Sequence, residues 1–275
     1  ELLRERMTMI KELSLIKQDT MERLLSAGSA PLLTMSLDGQ PYLRMNKVRY
    51  LIGVLGLNEM VQAHTGQQLH ESPQSLQFGW KVIKRMQEIC NEFSEEAGFI
   101  FALEQTPAES TTYRLAKLDL KYFNGKAADV VKGDQNNGGV YYTNSTHMNI
   151  GQQIPLNERI RQEGLFHPLI EAGSITHAWL GEASPDPEAL MKFTINMMKN
   201  TMNQQFTYTR DITYCEKCGA LVGGLPDKCP KCGAPEIQSY TRVTGYYQNV
   251  SGFNKGKLQE VKDRYENKDL FNVIS

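Results

Sequence analysis

Residues 50–59 read Tyr-Leu-Ile-Gly-Val-Leu-Gly-Leu-Asn-Glu. The apolar run 50–55 has the length and composition of a strand buried on both faces, and a helix is expected to begin near Asn58. Ser72-Pro73 then opens a long helical pattern that runs to about Glu96. Gly98 ends it, and the apolar run 99–103 reads as the next strand. Strand, helical crossover and strand are the unit from which a parallel sheet is built.

The same alternation extends outward. Upstream, Leu2, Leu3, Met7, Ile10, Leu13, Ile16, Met21, Leu24 and Leu25 recur at helical spacing among charges, and Gly28 follows as a terminator. Residues 32–37 read as a strand closed by the turn Asp38-Gly39. Downstream, Thr106-Pro107 turns into a helix over 108–122, with strands expected at 140–143, 174–180 and 206–209 and helices at 157–163 and 187–203. Met191, Met197, Met198 and Met202 fit core packing at helical spacing. This predicts α/β architecture with mainly parallel strands over 1–210, either a barrel or an open sheet, with no internal repeat.

The 275 residues carry 30 basic and 31 acidic side chains, 40% apolar and 22% charged residues. That is a globular balance, and it argues against a disordered tail or a general polyanion binder. The longest apolar run, 51–57, falls far short of the roughly 20 residues of a membrane-spanning helix. Residues 1–22 are charged throughout, unlike a signal peptide, so a cytoplasmic protein is expected. The chain opens at Glu1 directly in helical periodicity, and the expectation is the C-terminal part of something longer.

After Arg210 hydrophobic periodicity stops, and Gly, Pro, Lys and Cys crowd together. Cys215-Glu-Lys-Cys218 and Cys229-Pro-Lys-Cys232 are separated by ten residues, and each pair is followed by a glycine, Gly219 or Gly233. Two residues between cysteines let both thiolates reach one ion, and four soft thiolates with no open position suit structural Zn2+. Spacing alone leaves iron and a redox dithiol open, whereas disulfides fit poorly with a chain lacking an export signal. Cys90 lies inside a helical pattern and reads as a small buried hydrophobe. His147 and His177 have no metal-ligand spacing to a second ligand. Each reads as a hydrogen-bonded structural histidine, although either could line a cavity. Lys255, Lys257, Lys262 and Lys268 alternate with acids, as on a solvated helix face.

Beyond the cysteines comes Arg242-Val-Thr-Gly245-Tyr-Tyr-Gln248. By composition Gly245 would be a turn glycine. A four-cysteine ribbon followed closely by R-V-x-G-Y, however, resembles the C-terminal end of the class III anaerobic ribonucleotide reductases. Residues 50–59, Glu104-Gln-Thr-Pro-Ala-Glu-Ser110 and Ser174-Ile-Thr-His-Ala-Trp-Leu-Gly-Glu182 also look like that family's barrel segments. The resemblance implies an α/β fold made of half a glycyl-radical-enzyme barrel (1–210), a zinc ribbon (211–238), and a glycyl-radical loop with a C-terminal helix (239–275). It implies Gly245 as the radical site. A radical-SAM activase would remove its α-hydrogen, and the radical would generate a thiyl on a barrel cysteine. The thiyl would take the ribose 3′-hydrogen of a ribonucleoside triphosphate, so that the 2′-hydroxyl leaves as water. A homodimer is also implied. Because such a radical needs shielding from water and oxygen, Gly245 is expected to be buried.

By the same resemblance Thr106, Pro107, Ala108, Glu109 and Ser110 bind substrate phosphate, at a helix start that offers free N–H groups. Helix capping by Thr106 and Glu109 explains the segment equally well. The family's radical cysteine has no candidate here, since Cys90 is helical and the other four fill the ribbon, so no turnover is expected of the chain in isolation. Two other functions compete. One is a formate-lyase-like glycyl-radical enzyme, against which the ribbon argues. The other is a zinc-ribbon binding module that contacts nucleic acid. Lys217, Lys228 and Lys231 against Glu216, Asp227 and Glu236 give that region no basic surface, and neither nucleic acid nor membrane is expected as a partner.

Overall fold

A computed structural model of the chain describes residues 1–181, 186–243 and 245–267. Helix α1 (Leu2–Ser26) leads into a helical turn α2 (Pro31–Thr34), a short hairpin of β1 (Ser36–Leu37) and β2 (Gln40–Pro41), and strand β3 (Arg49–Val54). Helices α3 (Leu57–Thr65) and α4 (Pro73–Ala97) carry the chain to β4 (Ile100–Gln105). Strands β3 and β4 pair in parallel, from Arg49 opposite Ile100 to Val54 opposite Gln105. Ser72 caps α4 by accepting from Ser75 N at 3.2 Å, with Pro73 in its first turn. Tyr50, Ile52 and Val54 of β3, Phe101 and Leu103 of β4, and Ile83 and Phe93 of α4 form the main core.

Helix α5 (Glu109–Tyr122), turn α6 (Asn124–Ala127), and the hairpin of β5 (Lys132–Asp134) and β6 (Gly139–Tyr141) follow. Helix α7 (Leu156–Gly164) then precedes a second parallel pair, β7 (Thr176–Trp179) and β8 (Phe206–Thr209), joined through α8 (Pro187–Asn200). Ala178, Leu180, Phe193 and Met197 make a smaller core between them. The two parallel units are stitched together where Ala172 N and Gln105 N donate to Leu103 O and Gly173 O, and where Ile175 N donates to the Gln105 side chain. The remainder is a four-stranded antiparallel sheet in the order β10 (Leu221–Gly223), β9 (Ile212–Cys215), β11 (Ile237–Arg242), β12 (Tyr247–Asn249), followed by helix α9 (Lys255–Asp263), which packs on β6, β5 and α5. Strand β11 runs across residue 238.

Several expectations need correction. Residues 32–37 are mostly not strand, because Pro31 starts a helical turn and leaves two residues to pair. Strand β3 is buried on one face only: Leu51 is 44% exposed, and Arg49 and Gly53 are exposed beside it. Among the described strands, parallel sheets are limited to two strand pairs and the other sheets are antiparallel, with one isolated parallel bridge between Leu180 and Asn267. Of the methionines at 191–202 only Met197 is buried, because the α8 stripe that faces the sheet is built on Phe193 and Met197. Lys257 is no solvated lysine, since it lies buried against Glu260, while Lys268 and Glu182 fall outside the described residues.

Candidate functional site

Cys215 ends β9, and Cys218, Cys229 and Cys232 lie on the two loops beyond it. The four sulfurs all fall within 4.8 Å of one another, with Cys215–Cys232 and Cys218–Cys229 at 3.7 Å, and none is in a disulfide. Tetrahedral bonds of about 2.3 Å to Zn2+ place sulfurs roughly 3.8 Å apart, so this donor set fits the ion without rearrangement. The segments Cys-Glu-Lys-Cys-Gly-Ala220 and Cys-Pro-Lys-Cys-Gly-Ala234 repeat fourteen residues apart, a short repeat that the sequence reading passed over. They also repeat in conformation: Gly219 N and Gly233 N donate to Cys215 O and Cys229 O, and Cys215 N and Cys229 N donate to Ala220 O and Ala234 O. Both glycines hold positive φ, 68° and 72°, the region where a side chain would be strained. Backbone N–H groups, of Cys232 first and also of Lys231, draw the Cys229 thiol down to about 6, toward the thiolate that a metal binds.

The sheet continues from the cysteines to Gly245. Cys215 pairs with Ile237 at one end of β11, and Arg242 pairs with Tyr247 at the other. Gly245 sits on the turn between β11 and β12, closed by Val243 N donating to Tyr246 O. The Arg242 guanidinium donates to Gly245 O at 3.0 Å and lies 5.1 Å from the centre of the Tyr247 ring. Gly245 is exposed, contrary to the expected burial, and a Cβ built on it meets nothing within 4 Å. Packing among the described residues therefore does not call for glycine there.

The predicted phosphate segment leaves β4 and enters α5. Ala108, not Thr106 or Glu109, occupies the capping position, and no side chain caps the helix. Thr106 instead donates to Glu104 at 3.3 Å and accepts from Ser145 through its carbonyl at 3.2 Å. Glu109 faces the glycine turn: Tyr246 donates to its carboxylate at 3.5 Å, and Asn254 to its carbonyl at 3.2 Å. Thus 106–110 and Gly245, far apart in sequence, share one end of the fold. Cys90 is buried, with its thiol pushed up to about 12 by burial and then by Glu171, as an inert core residue should be.

Sequence reasoning missed how the glycine-bearing sheet is held. Arg264, just past α9, donates to Thr241 Oγ1 (2.8 Å), Arg242 O (3.1 Å) and Glu260 (3.3 Å), and it stacks 3.9 Å from the Trp179 ring centre. Burial opposes the Glu260 charge, but Lys257 and Arg264 outweigh it and hold the carboxyl below its usual range. The i,i+4 spacing of Glu260 and Arg264 was the available signal. Trp179 stacks on His177 at 5.0 Å, and His177 meets His147 edge-on at 5.7 Å, beside a cavity that also reaches Asn144, Glu163 and Val243.

The family profile described as anaerobic ribonucleoside-triphosphate reductase matches residues 1–266. The anaerobic ribonucleoside-triphosphate reductase of Salmonella typhimurium is 28% identical over 224 residues, covering 78% of this chain and 30% of that protein. The enzyme of the same name from bacteriophage T4 is 29% identical, over 68% of this chain and 31% of its own length. A solved anaerobic ribonucleotide reductase superposes with a TM-score of 0.75 at 25% identity, covering 97% of this chain and 41% of the other. The Thermotoga maritima structure, at 24% identity and a TM-score of 0.69, is similar in fold. The chain thus spans about a third of the length of the curated relatives it matches. With the profile matched almost end to end, the chain belongs to the anaerobic ribonucleoside-triphosphate reductase family.

Proposed function

We propose that this chain supplies the radical-bearing glycine and part of the substrate cavity for anaerobic reduction of ribonucleoside triphosphates to 2′-deoxyribonucleoside triphosphates. The observation that carries the reading is Gly245, a glycine on the turn that closes the cysteine-bearing sheet, with open space where its Cβ would be. Glycyl-radical chemistry supplies a reason: loss of one α-hydrogen leaves a planar centre delocalised into both flanking peptides. Exposure of the turn suits hydrogen abstraction by a separate radical-SAM activase. Shielding during turnover and the thiyl-forming cysteine fall to the remainder of a longer polypeptide or a partner chain.

Residues 106–110 are the proposed phosphate site, set beside the glycine turn through Glu109. The cysteine cluster would hold a structural Zn2+, which ties the ends of β9 and β11 together when bound. The proposed division is a barrel portion over 1–210, a ribbon over 211–238 and a radical segment over 239–275, within a cytoplasmic homodimeric enzyme. No helix among the described residues is long and apolar enough to cross a membrane.

The test is electron paramagnetic resonance under strict anaerobiosis, after incubating a reductase containing this chain with activase, S-adenosylmethionine and a strong reductant. A doublet that collapses on α-deuteration of glycine and is absent in Gly245→Ala is expected. A folded, zinc-loaded protein that gives no signal would overturn the reading.

A further inference from the structure

We propose that His147 is an acid–base group of this site, its Nε2 exchanging protons, through water held in the adjoining cavity, with the hydroxyls of the bound ribose. The ribose comes from the reductase reading above, whereas the acid–base geometry stands without it.

The imidazole is oriented on one side and unoccupied on the other. His147 Nδ1 lies 3.2 Å from Glu163 Oε2, and the other Glu163 oxygen accepts from Met148 N at 3.0 Å and Arg159 Nη1 at 3.2 Å. Burial opposes the Glu163 charge, but His147 and then Arg159 overcome it and hold the carboxyl below its usual range. A charged carboxylate at Nδ1 places the proton there, which leaves Nε2 as the atom that gains or loses one. That Nε2 is buried and has no hydrogen-bond partner among the described residues, in a residue only 9% exposed. It borders a cavity with about 40 Å³ for the centres of water-sized molecules, room for roughly three waters. Asn144 and His177 line the same cavity, and Asn144 Oδ1 and His177 Nδ1 are also buried and without a partner among the described residues. Three unsatisfied polar atoms around one space call for a polar guest. The space is too small for a nucleotide, so water inside and ribose at its mouth is the arrangement that fits.

His177 cannot take the same part. It lies flat on Trp179, and burial first, then His147, Arg264, Lys257 and Arg242, keep it neutral. The charged and titratable groups facing His147 are therefore Glu163 and Arg159 from α7, His177 from β7, His167 from the turn after α7, and Glu260 with Lys257 and Arg264 on and after α9. His167 is held down to about 4, by burial first, and is no competitor as a proton donor. Glu163 is the carboxylate in direct contact with the ring.

The chemistry balances without an added oxidant or reductant. Once a thiyl radical has removed the 3′-hydrogen, the C2′–O bond breaks, and the departing oxygen receives a proton from the His147 imidazolium and leaves as water. The 3′-hydroxyl then returns a proton to the neutral imidazole as its C–O bond becomes a carbonyl, leaving the unpaired electron at C2′. His147 ends as it began.

Two measurements decide the matter. In the activated reductase containing this chain, His147→Gln should retain the wild-type amount of glycyl radical by paramagnetic resonance. Its kcat should fall roughly 10²–10⁴-fold with little change in KM, and the alkaline limb of kcat against pH should disappear. Unchanged kcat with the same limb overturns the proposal. In the chain itself, ¹⁵N-histidine NMR should show His147 with Nδ1 protonated and Nε2 bare at high pH, titrating at Nε2, while His177 stays neutral. A neutral form protonated at Nε2, or a ring that does not titrate, also overturns it, whether or not the Gln variant folds. A wild-type enzyme that yields no glycyl radical instead removes the reductase reading, and with it the ribose, leaving NMR to decide the proton exchange alone.

Discussion

Two glycines in this chain are glycine for opposite reasons. A Cβ on Gly53 would lie 1.9 Å from Thr106 Oγ1 and 2.9 Å from its Cβ, because Thr106 folds back over β3 at the level of Gly53. Gly53→Ala should push the 106–110 segment away and cost about 1–3 kcal/mol. Urea unfolding measures this, and in a double-mutant cycle Thr106→Gly should recover much of the loss. Gly245→Ala meets open space, and its stability should stay within about 0.5 kcal/mol of wild type, so the proposed loss of the radical signal is readable without a folding defect. At this scale the cysteines were legible, since ligand spacing is local. His147 and His177 were legible as cavity-lining candidates, but the pairing of His147 with Glu163 was not, because Glu163 comes from α7 and only the fold brings it to the same cavity.

Among elements, three buried carboxylates divide in their response to pH. Glu163 and Glu260 are held below the usual range, so their stabilisation is present above the unfolded value of about 4.3 and is lost as pH falls through the lower folded values. Glu59, buried in α3, is raised by burial despite accepting from Thr143 Oγ1 at 2.6 Å and Asn58 at 3.1 Å. Its contribution is present at low pH and is lost as pH rises through its folded value. Denaturant titrations across about pH 3–9 should therefore show Glu59→Gln flattening the alkaline loss. Glu163→Gln should cost about 3–5 kcal/mol at neutral pH by leaving Arg159 buried without its counter-charge. The elements themselves were mostly legible where caps and glycines mark them, as at Ser72 and Gly98 around α4. Residues 32–37 misled because an apolar run that short fits a strand or a helical turn, and Pro31 decided for the latter. The antiparallel sheet after 210 was hidden because its strands are short and pack on thiolates and on one another, with little hydrophobic alternation.

For the whole molecule, parallel alternation was readable from strand and helix order, but the exposed row Arg49, Leu51, Gly53 was not, since what covers a sheet face is a property of the assembly and not of the strand. The cysteine cluster and Gly245 belong to one sheet, so metal removal should act on both. A chelator, or Cys218→Ser with Cys232→Ser, should release amide protection in β9–β12 while β3, β4 and α4 keep theirs, as hydrogen exchange would show. Equal loss in both regions would mean that the molecule unfolds as one unit. One Zn2+ per chain is the expected stoichiometry by elemental analysis.

Strand β11 gives that coupling a length. From Ile237, paired with Cys215, to Arg242, paired with Tyr247, the backbone advances by five residues, about 17 Å at the rise of a strand. The interval is a ruler, and its graduations have a parity. One residue inserted into β11 would lengthen it by a single step and turn every later side chain to the opposite face, reversing Arg242 against Tyr247. Two inserted residues would restore the faces while moving the glycine turn beyond Glu109. The number of residues between Cys232 and Gly245 is therefore a dimension of the machine, with no slack of the kind a tether would allow.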